Sequence, residues 1–157
     1  MPRDIKIVSG GQTGADRSAL DAALDAGVAC GGWCPADRSA EDGVIPERYP
    51  LRPLPRGGND DRTRQNVRDS DGTVIFCFGE PTGGTETTRQ ACIEMNKPLL
   101  MIDAAGAPQT AVWQLNEFVG ANGIRVLNVA GPRASEEPAI GAFVYRCIRA
   151  LLRQTAS

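Results

Sequence analysis

Residues 5–26 read IKIVSGGQTGADRSALDAALDA: a short apolar run, a glycine-rich turn and an amphipathic helix in direct succession. Residues 5–8 have the composition of a buried strand. Residues 15–26 repeat apolar side chains at helical spacing, with Ala19, Leu20 and Ala23 on one face. A strand that runs through a glycine turn into a helix is typical of a parallel α/β unit.

The same alternation continues to the end of the chain. Further strands are predicted over residues 28–31, 73–78, 99–102 and 125–129, and helices over residues 60–69, 85–96 and 109–120. The last helix is the clearest, because apolar residues keep the 3.6-residue period from Ile140 to Leu152. Ser135 is the predicted cap of that helix. The pattern predicts an α/β fold with a doubly wound parallel sheet of five or six strands, flanked by helices on both faces.

Length and composition limit the class of protein. The 157 residues suit a single domain spanning residues 1–157. No apolar run reaches membrane-spanning length and the start of the chain does not resemble a signal peptide, so a cytoplasmic protein with no membrane partner is expected. A net charge of −2 argues against general nucleic-acid binding. The five cysteines lack metal-site spacing, so we expect reduced thiols and no metal site.

The basic residues are unusual. The chain contains no histidine, which excludes histidine-based triads, metal ligands and acid–base chemistry. It has two lysines and fifteen arginines. This excess fits either a GC-rich genome or planar recognition of phosphate and carboxylate groups by guanidinium.

Residues 34–59 interrupt the α/β rhythm. This segment holds five of the eleven prolines and shows little periodicity. Long loops in compact domains usually serve as lids or binding loops. A lid over a ligand site and a subunit contact are the two interpretations.

Two glycine-rich loops follow predicted strands and lead into helices. The first contains Ser9, Gly10, Gly11, Gln12, Thr13 and Gly14, and the second contains Thr82, Gly83, Gly84, Thr85 and Glu86, followed by Arg89. Amide groups at such helix starts bind anions, most often phosphate. Neither loop has the P-loop or dinucleotide spacing. We expect the two loops to lie on neighbouring strands and to face one crevice, and bulky replacements of Gly11 and Gly84 to abolish binding without unfolding the domain.

Six short motifs together resemble the molybdenum cofactor carrier protein family. They are SGGQTGAD at 9–16, GGWCP at 31–35, AEDG at 40–43, IP at 45–46, NVRDSD at 66–71 and TGGT at 82–85. The resemblance covers residues 5–102. It implies a Rossmann-like fold related to the lysine-decarboxylase-like phosphoribohydrolases and to DNA-processing protein A.

The resemblance also implies a function: a homo-oligomeric carrier, dimeric or tetrameric, for molybdenum cofactor (molybdopterin) or for a small oxyanion such as molybdate. The two glycine loops would hold the phosphate or oxyanion. Candidate guanidinium partners, in order of preference, are Arg68, Arg89, Arg38 and Arg133. Trp33 or Tyr49 would offer an aromatic face to the pterin. A carrier needs no catalytic residue, and none is assigned.

Two alternatives stay open. The related phosphoribohydrolases use a Pro-Gly-Gly-x-Gly-Thr-x-x-Glu loop, and residues 81–89 resemble it with a shifted register, so that Glu86 would stand in for the usual glutamate. A nucleotide N-glycosidase would then need a carboxylate to activate water. The available carboxylates are Asp16, Glu41, Asp42, Asp69 and Asp71. A sensor that binds a nucleotide-like ligand without reaction is the other alternative.

Overall fold

The computed structural model describes residues 4–153. Its five helices are α1 Ala15–Ala26, α2 Asn59–Asp69, α3 Gly83–Glu94, α4 Pro108–Ala121 and α5 Ile140–Arg153. Its strands are β1 Lys6–Val8, β2 Cys30–Gly31, β3 Trp33–Cys34, β4 Ser39–Ala40, β5 Gly43–Val44, β6 Arg52–Pro53, β7 Gly72–Cys77, β8 Leu99–Asp103 and β9 Val126–Ala130. The predicted helices and the strands of the central sheet are present, and their ends lie within two residues of the prediction except at the start of α5.

Five strands form the central sheet in the order β2-β1-β9-β7-β8, and all of its strand pairs are parallel. This arrangement confirms the predicted Rossmann-like, doubly wound α/β fold. One expectation was wrong: β1 and β7, which carry the two glycine loops, are not neighbours. The last strand, β9, lies between them, with Asn128 paired to Val8 on one side and to Thr73 on the other. Local sequence could not show this, because the position of β9 depends on how the returning chain packs.

Helices cover the sheet on both faces. Helices α1, α4 and α5 pack together on one face, and α2 and α3 pack against each other on the opposite face. Successive side chains of strand β7 point to opposite faces of the sheet. Its Val74 and Phe76 join the larger core, whereas Ile75 and Cys77 join a smaller cluster on the other face. Burial on both faces explains the continuous apolar composition of this strand.

The start of the last helix differs from the prediction. Helix α5 begins at Ile140, and residues 134–139 form turns rather than the first helical turn. The Ser135 hydroxyl therefore does not cap the helix, and instead it donates a hydrogen bond of 2.5 Å to Glu41 Oε1. The sequence predicted that the Ser135 hydroxyl would bind the start of its own helix, but it binds the distant Glu41 carboxylate instead.

Residues 34–59 contain the short strands β4, β5 and β6, of which β4 and β5 form a hairpin. Cys34, Ile45, Tyr49 and Leu51 bury their side chains against Leu20 of α1. The segment thus has an apolar anchor of its own beside the first glycine loop. Its role as a lid stays a prediction.

All five cysteines are free thiols, and four of them are buried. Within residues 4–153, no helix has the length and apolar character needed to cross a membrane.

Candidate functional site

A polar cavity of about 190 Å³ opens at the carboxyl end of β9. It lies between the loop after β1 and the loop after β7, with α2 as one wall. This is the place where strand order reverses in the sheet, and ligands of open α/β sheets bind at such points. The residues that line it are Gly10, Gln12, Asp16, Asn59, Asp60, Arg62, Thr63, Asn66, Gly84, Thr85, Thr88, Asn128, Val129, Ala130, Gly131, Arg133 and Glu136.

Arg62 is the buried cation of this cavity. Only 9% of the residue is exposed, although it belongs to a strongly polar helix. Its Nη1 donates to the carbonyl oxygen of Gly10 at 3.0 Å, and its Nε donates to Thr63 Oγ1 at 3.3 Å. The third nitrogen, Nη2, has no hydrogen-bond partner within residues 4–153. The guanidinium is therefore fixed on one side and available to a ligand on the other.

Buried amides and hydroxyls form much of the remaining wall. Asn128 donates from Nδ2 to Thr73 Oγ1 at 3.2 Å, across the β9–β7 pair. Asn66 accepts the Trp33 N–H at 2.8 Å and donates to the Trp33 carbonyl at 3.0 Å. The two bonds of Asn66 fix the orientation of its amide, and Asn128 is anchored through its Nδ2. The wall is thus preorganised for hydrogen bonding.

Three carboxyl groups and two guanidinium groups line the cavity: Asp16, Asp60 and Glu136 with Arg62 and Arg133. Arg133 pairs with Glu136, Nε to Oε1 at 3.2 Å, and both side chains are about half exposed. Asp16 is buried, and this burial raises the pKa of its carboxyl above the usual range. The nearby Arg62 guanidinium and the backbone N–H of Gln12 act in the opposite direction on that pKa. The Asp16 carboxyl therefore gains its proton at a higher pH than an exposed aspartate does, and protonation removes its repulsion of an anionic ligand.

The first glycine loop contributes two of its six predicted residues to the cavity, Gly10 and Gln12. The Gln12 N–H donates to Asp16 Oδ2 at 3.3 Å and the Thr13 N–H to Gln12 Oε1 at 3.1 Å, so both amides already have partners. Ser9 and Gly11 are buried instead, and Gly14 lies half-buried against the backbone of residues 132–134. The Ser9 hydroxyl donates to the Asp16 carbonyl at 2.9 Å.

The second glycine loop contributes Gly84 and Thr85, at the start of α3. Thr82 lines a smaller cavity next to it, and Gly83 lines neither. Glu86 and Arg89 pair with each other, with an Nη2–Oε1 distance of 2.6 Å. The Arg89 and Gln90 hydrogen bonds lower the pKa of Glu86 from 4.5 to about 2.

The other predicted groups lie away from the cavity, apart from Arg133. Arg68 donates to the side chain of Gln65, and Arg38 donates to the carbonyl oxygens of residues 45, 46, 49 and 51. Trp33 lines a separate groove beneath Arg52, with its indole N–H on Asp69 Oδ2 at 2.8 Å. Tyr49 is buried against α1. Contact of these side chains with a ligand stays a prediction.

Comparison with known proteins assigns the family. The profile of the circularly permutated YpsA SLOG family matches residues 7–152. The chain belongs to this family. A crystal structure of a protein assigned as a molybdenum carrier, from Syntrophus aciditrophicus SB, superposes with a TM-score of 0.92. The two sequences are 41% identical, and the alignment covers 96% of each chain. No curated protein matches the chain.

In this SLOG-family chain, Arg62 is the main site residue that sequence reasoning missed. In the sequence, Arg62, Thr63, Asn66 and Val67 recur at helical spacing, and the structure buries all four on one face of α2. A polar stripe at helical spacing on an otherwise hydrophilic helix indicates either a solvated face or a wall of a site. The position of α2 against β9 distinguishes the two. Within residues 4–153, no group of three or more Cys, Asp or Glu side chains is placed to hold a metal ion.

Proposed function

We propose that this SLOG-family protein binds a ligand with a phosphate or oxyanion group in the cavity beside β9, and that molybdenum cofactor or a related compound is that ligand. The observation that carries the proposal is Arg62. A buried guanidinium that is held through Nε and Nη1 and unpartnered at Nη2 is suited to donate a charge-assisted hydrogen bond to an oxyanion. The Gly84 N–H at the start of α3 would add to the attraction, whereas the Thr85 and Glu86 N–H groups already donate to the Thr82 carbonyl.

The size of the cavity indicates how much of the ligand it holds. Cavities for whole small-molecule ligands usually measure about 300–1,000 Å³, and this one measures about 190 Å³. It therefore suits the anionic end of a larger molecule or a small free oxyanion such as molybdate. A larger ligand would extend through the open side of the cavity.

The neutral polar wall narrows the class of ligand. Asparagine and threonine side chains outnumber charged ones around the cavity, and their donors and acceptors suit the ring and linker atoms of a polar heterocycle. Molybdopterin and nucleotides both combine such a heterocycle with a phosphate. The assignment of the Syntrophus aciditrophicus SB protein as a molybdenum carrier supports the first of these. We also propose that the protein acts as a cytoplasmic homo-oligomer.

The test is native mass spectrometry of freshly purified protein, combined with metal analysis. Two variants on the same helix provide the comparison. Arg62→Met removes the buried guanidinium, whereas Arg64→Met removes an exposed one that pairs with Glu94. We expect a co-purifying pterin phosphate or molybdenum signal that Arg62→Met loses and Arg64→Met keeps.

Other outcomes separate the alternatives. A nucleoside monophosphate that the protein hydrolyses on incubation would indicate the N-glycosidase. A bound nucleotide that is stable on incubation would indicate the sensor. If the wild-type protein carries nothing and binds neither molybdate nor AMP in a titration, the proposal fails.

A further inference from the structure

The hairpin inside residues 34–59 places two acidic side chains at its tip. Strands β4 and β5 pair antiparallel, with Ser39 opposite Val44 and Ala40 opposite Gly43, so that Glu41 and Asp42 form the turn. Acidic residues at a hairpin tip are usually solvated. Here the Glu41 carboxylate binds two loops beside the cavity, and the Asp42 carboxylate binds Arg17 of α1.

Glu41 joins two loops that follow different strands. Its carboxylate accepts the Thr13 hydroxyl from the loop after β1. It also accepts the Ser135 N–H at 3.2 Å and the Ser135 hydroxyl at 2.5 Å, from the turn after β9. Thr13 Oγ1 in turn accepts the Ala134 N–H at 3.1 Å. These hydrogen bonds lower the pKa of Glu41, so the carboxylate is charged at neutral pH.

The backbone of Glu41 acts on Gln12, which lines the cavity. Gln12 Oε1 accepts the Glu41 N–H at 2.8 Å and the Thr13 N–H at 3.1 Å. Two donors on the oxygen fix the orientation of the side-chain amide. Its Nε2 then has no partner within the described part of the chain, and it remains available to a ligand.

Asp42 holds the same loop from its other side. Arg17 donates to Asp42 through both terminal nitrogens, at 2.6 and 3.1 Å, and its Nη2 also donates to the Gly11 carbonyl at 3.2 Å. The Arg17 side chain is only 14% exposed and lies near the Tyr49 ring, at 5.7 Å from its centroid. The loop carbonyl, the guanidinium and the hairpin tip thus form one connected unit.

We infer that Glu41 and Asp42 are positioning residues that clamp the first glycine loop and aim the Gln12 amide at the ligand. The effect on ligand binding rests on the proposed function. The contacts that hold the loop exist in the protein without a ligand. Glu41 and Asp42 lie at the exposed tip of the hairpin, where a single polar interaction contributes little to global stability. The clamp should therefore affect loop order and ligand affinity more than the melting temperature.

The experiment compares Glu41→Gln and Asp42→Asn with Glu47→Gln, an exposed residue of the same segment. Hydrogen exchange followed by mass spectrometry reports on peptides that cover residues 10–14 and 133–136. We expect faster exchange of the Thr13, Ala134 and Ser135 amides in Glu41→Gln, faster exchange in residues 10–14 in Asp42→Asn, and no change in Glu47→Gln. This readout needs no ligand.

Calorimetric titration with molybdate, and with AMP as a second probe, measures the effect on binding. The loss of hydrogen bonds to a charged group predicts an affinity about tenfold weaker in Glu41→Gln. In a Gln12→Ala background, Glu41→Gln should weaken the affinity by less than about twofold, because the Gln12 side-chain amide that Glu41 positions is already absent. A purely structural role would give equal losses on both backgrounds.

The results distinguish failure of the clamp from failure of the proposed ligand-binding function. Unchanged exchange in Glu41→Gln overturns the clamp, whatever the protein binds. Equal losses of affinity with and without Gln12 also overturn it. Faster exchange in Glu41→Gln combined with no binding of either probe by the wild-type protein supports the clamp and contradicts the proposed function.

Discussion

Arg62 Nη1 lies 3.0 Å from the carbonyl oxygen of Gly10, although the two residues are 52 positions apart in the chain. A Cβ atom on Gly10 would lie 2.5 Å from the same nitrogen. The contact thus requires glycine at position 10, and it joins the wall of the cavity formed by α2 to the loop after β1. This relationship explains a glycine that local turn geometry does not require.

Gly10→Ala should displace the Arg62 side chain. We expect a loss of stability of about 1–3 kcal/mol, the usual cost of overpacking a buried position, together with weaker binding of molybdate. Thermal unfolding and calorimetric titration measure the two effects. Gly120→Ala is the matched control, because open space surrounds a Cβ at that position. Unchanged affinity in Gly10→Ala would show that the placement of Arg62 does not govern binding.

Gly84 and Gly11 should respond differently to a bulky replacement. A Cβ on Gly84 would meet nothing within 4 Å, so Gly84→Leu should fill the cavity and abolish binding with little change in melting temperature. Gly11 has a φ of +81°, and a Cβ there would lie 2.3 Å from Leu51 Cδ1. Gly11→Leu should therefore destabilise the domain. From the sequence alone, we expected that neither Gly11 nor Gly84 would unfold the domain when replaced by a bulky residue. Equal melting temperatures for the two variants would contradict this contrast.

Asp16 should make anion binding dependent on pH. Burial raises the pKa of its carboxyl, so the group gains a proton at a higher pH than an exposed aspartate. As pH falls through that raised pKa, the negative charge beside Arg62 disappears and anion affinity should rise. Sulfate is a suitable probe because it stays a dianion over this range. In Asp16→Asn the rise should be absent, and a slope as steep as in the wild-type protein would assign it to another group.

Glu86 should contribute to loss of stability in acid. Its pKa is about 2 in the folded protein against an ordinary value of 4.5, because Arg89 and Gln90 donate hydrogen bonds to its carboxylate. Folding then favours the charged form, so the stabilisation is complete above pH 4.5 and is lost as pH falls toward 2. Melting temperatures across this range should decline less in Glu86→Gln than in the wild-type protein. The exposed Glu117→Gln serves as control, and the same decline in both variants would contradict the prediction.

The sequence predicted part of the cavity. The glycine loops after β1 and β7 were found from local composition, and Gly10, Gln12, Gly84 and Thr85 from these loops line the cavity. Arg62 was not found, because nothing local distinguishes a buried arginine from an exposed one on a polar helix. The ranking of arginines favoured Arg68 and Arg89, which lie next to recognisable motifs but interact with Gln65 and Glu86.

The fold class followed from short-range patterns alone. Apolar runs, helical periodicity and glycine turns are properties of neighbouring residues, and they were enough to predict a parallel sheet with helices on both faces. The order of the strands and the partners of Glu41, Asp42 and Ser135 were not predictable in this way. They depend on contacts between residues far apart in the chain, such as Ser135 with Glu41, 94 positions away. Packing of β9 between β1 and β7 brings these distant groups together around one cavity.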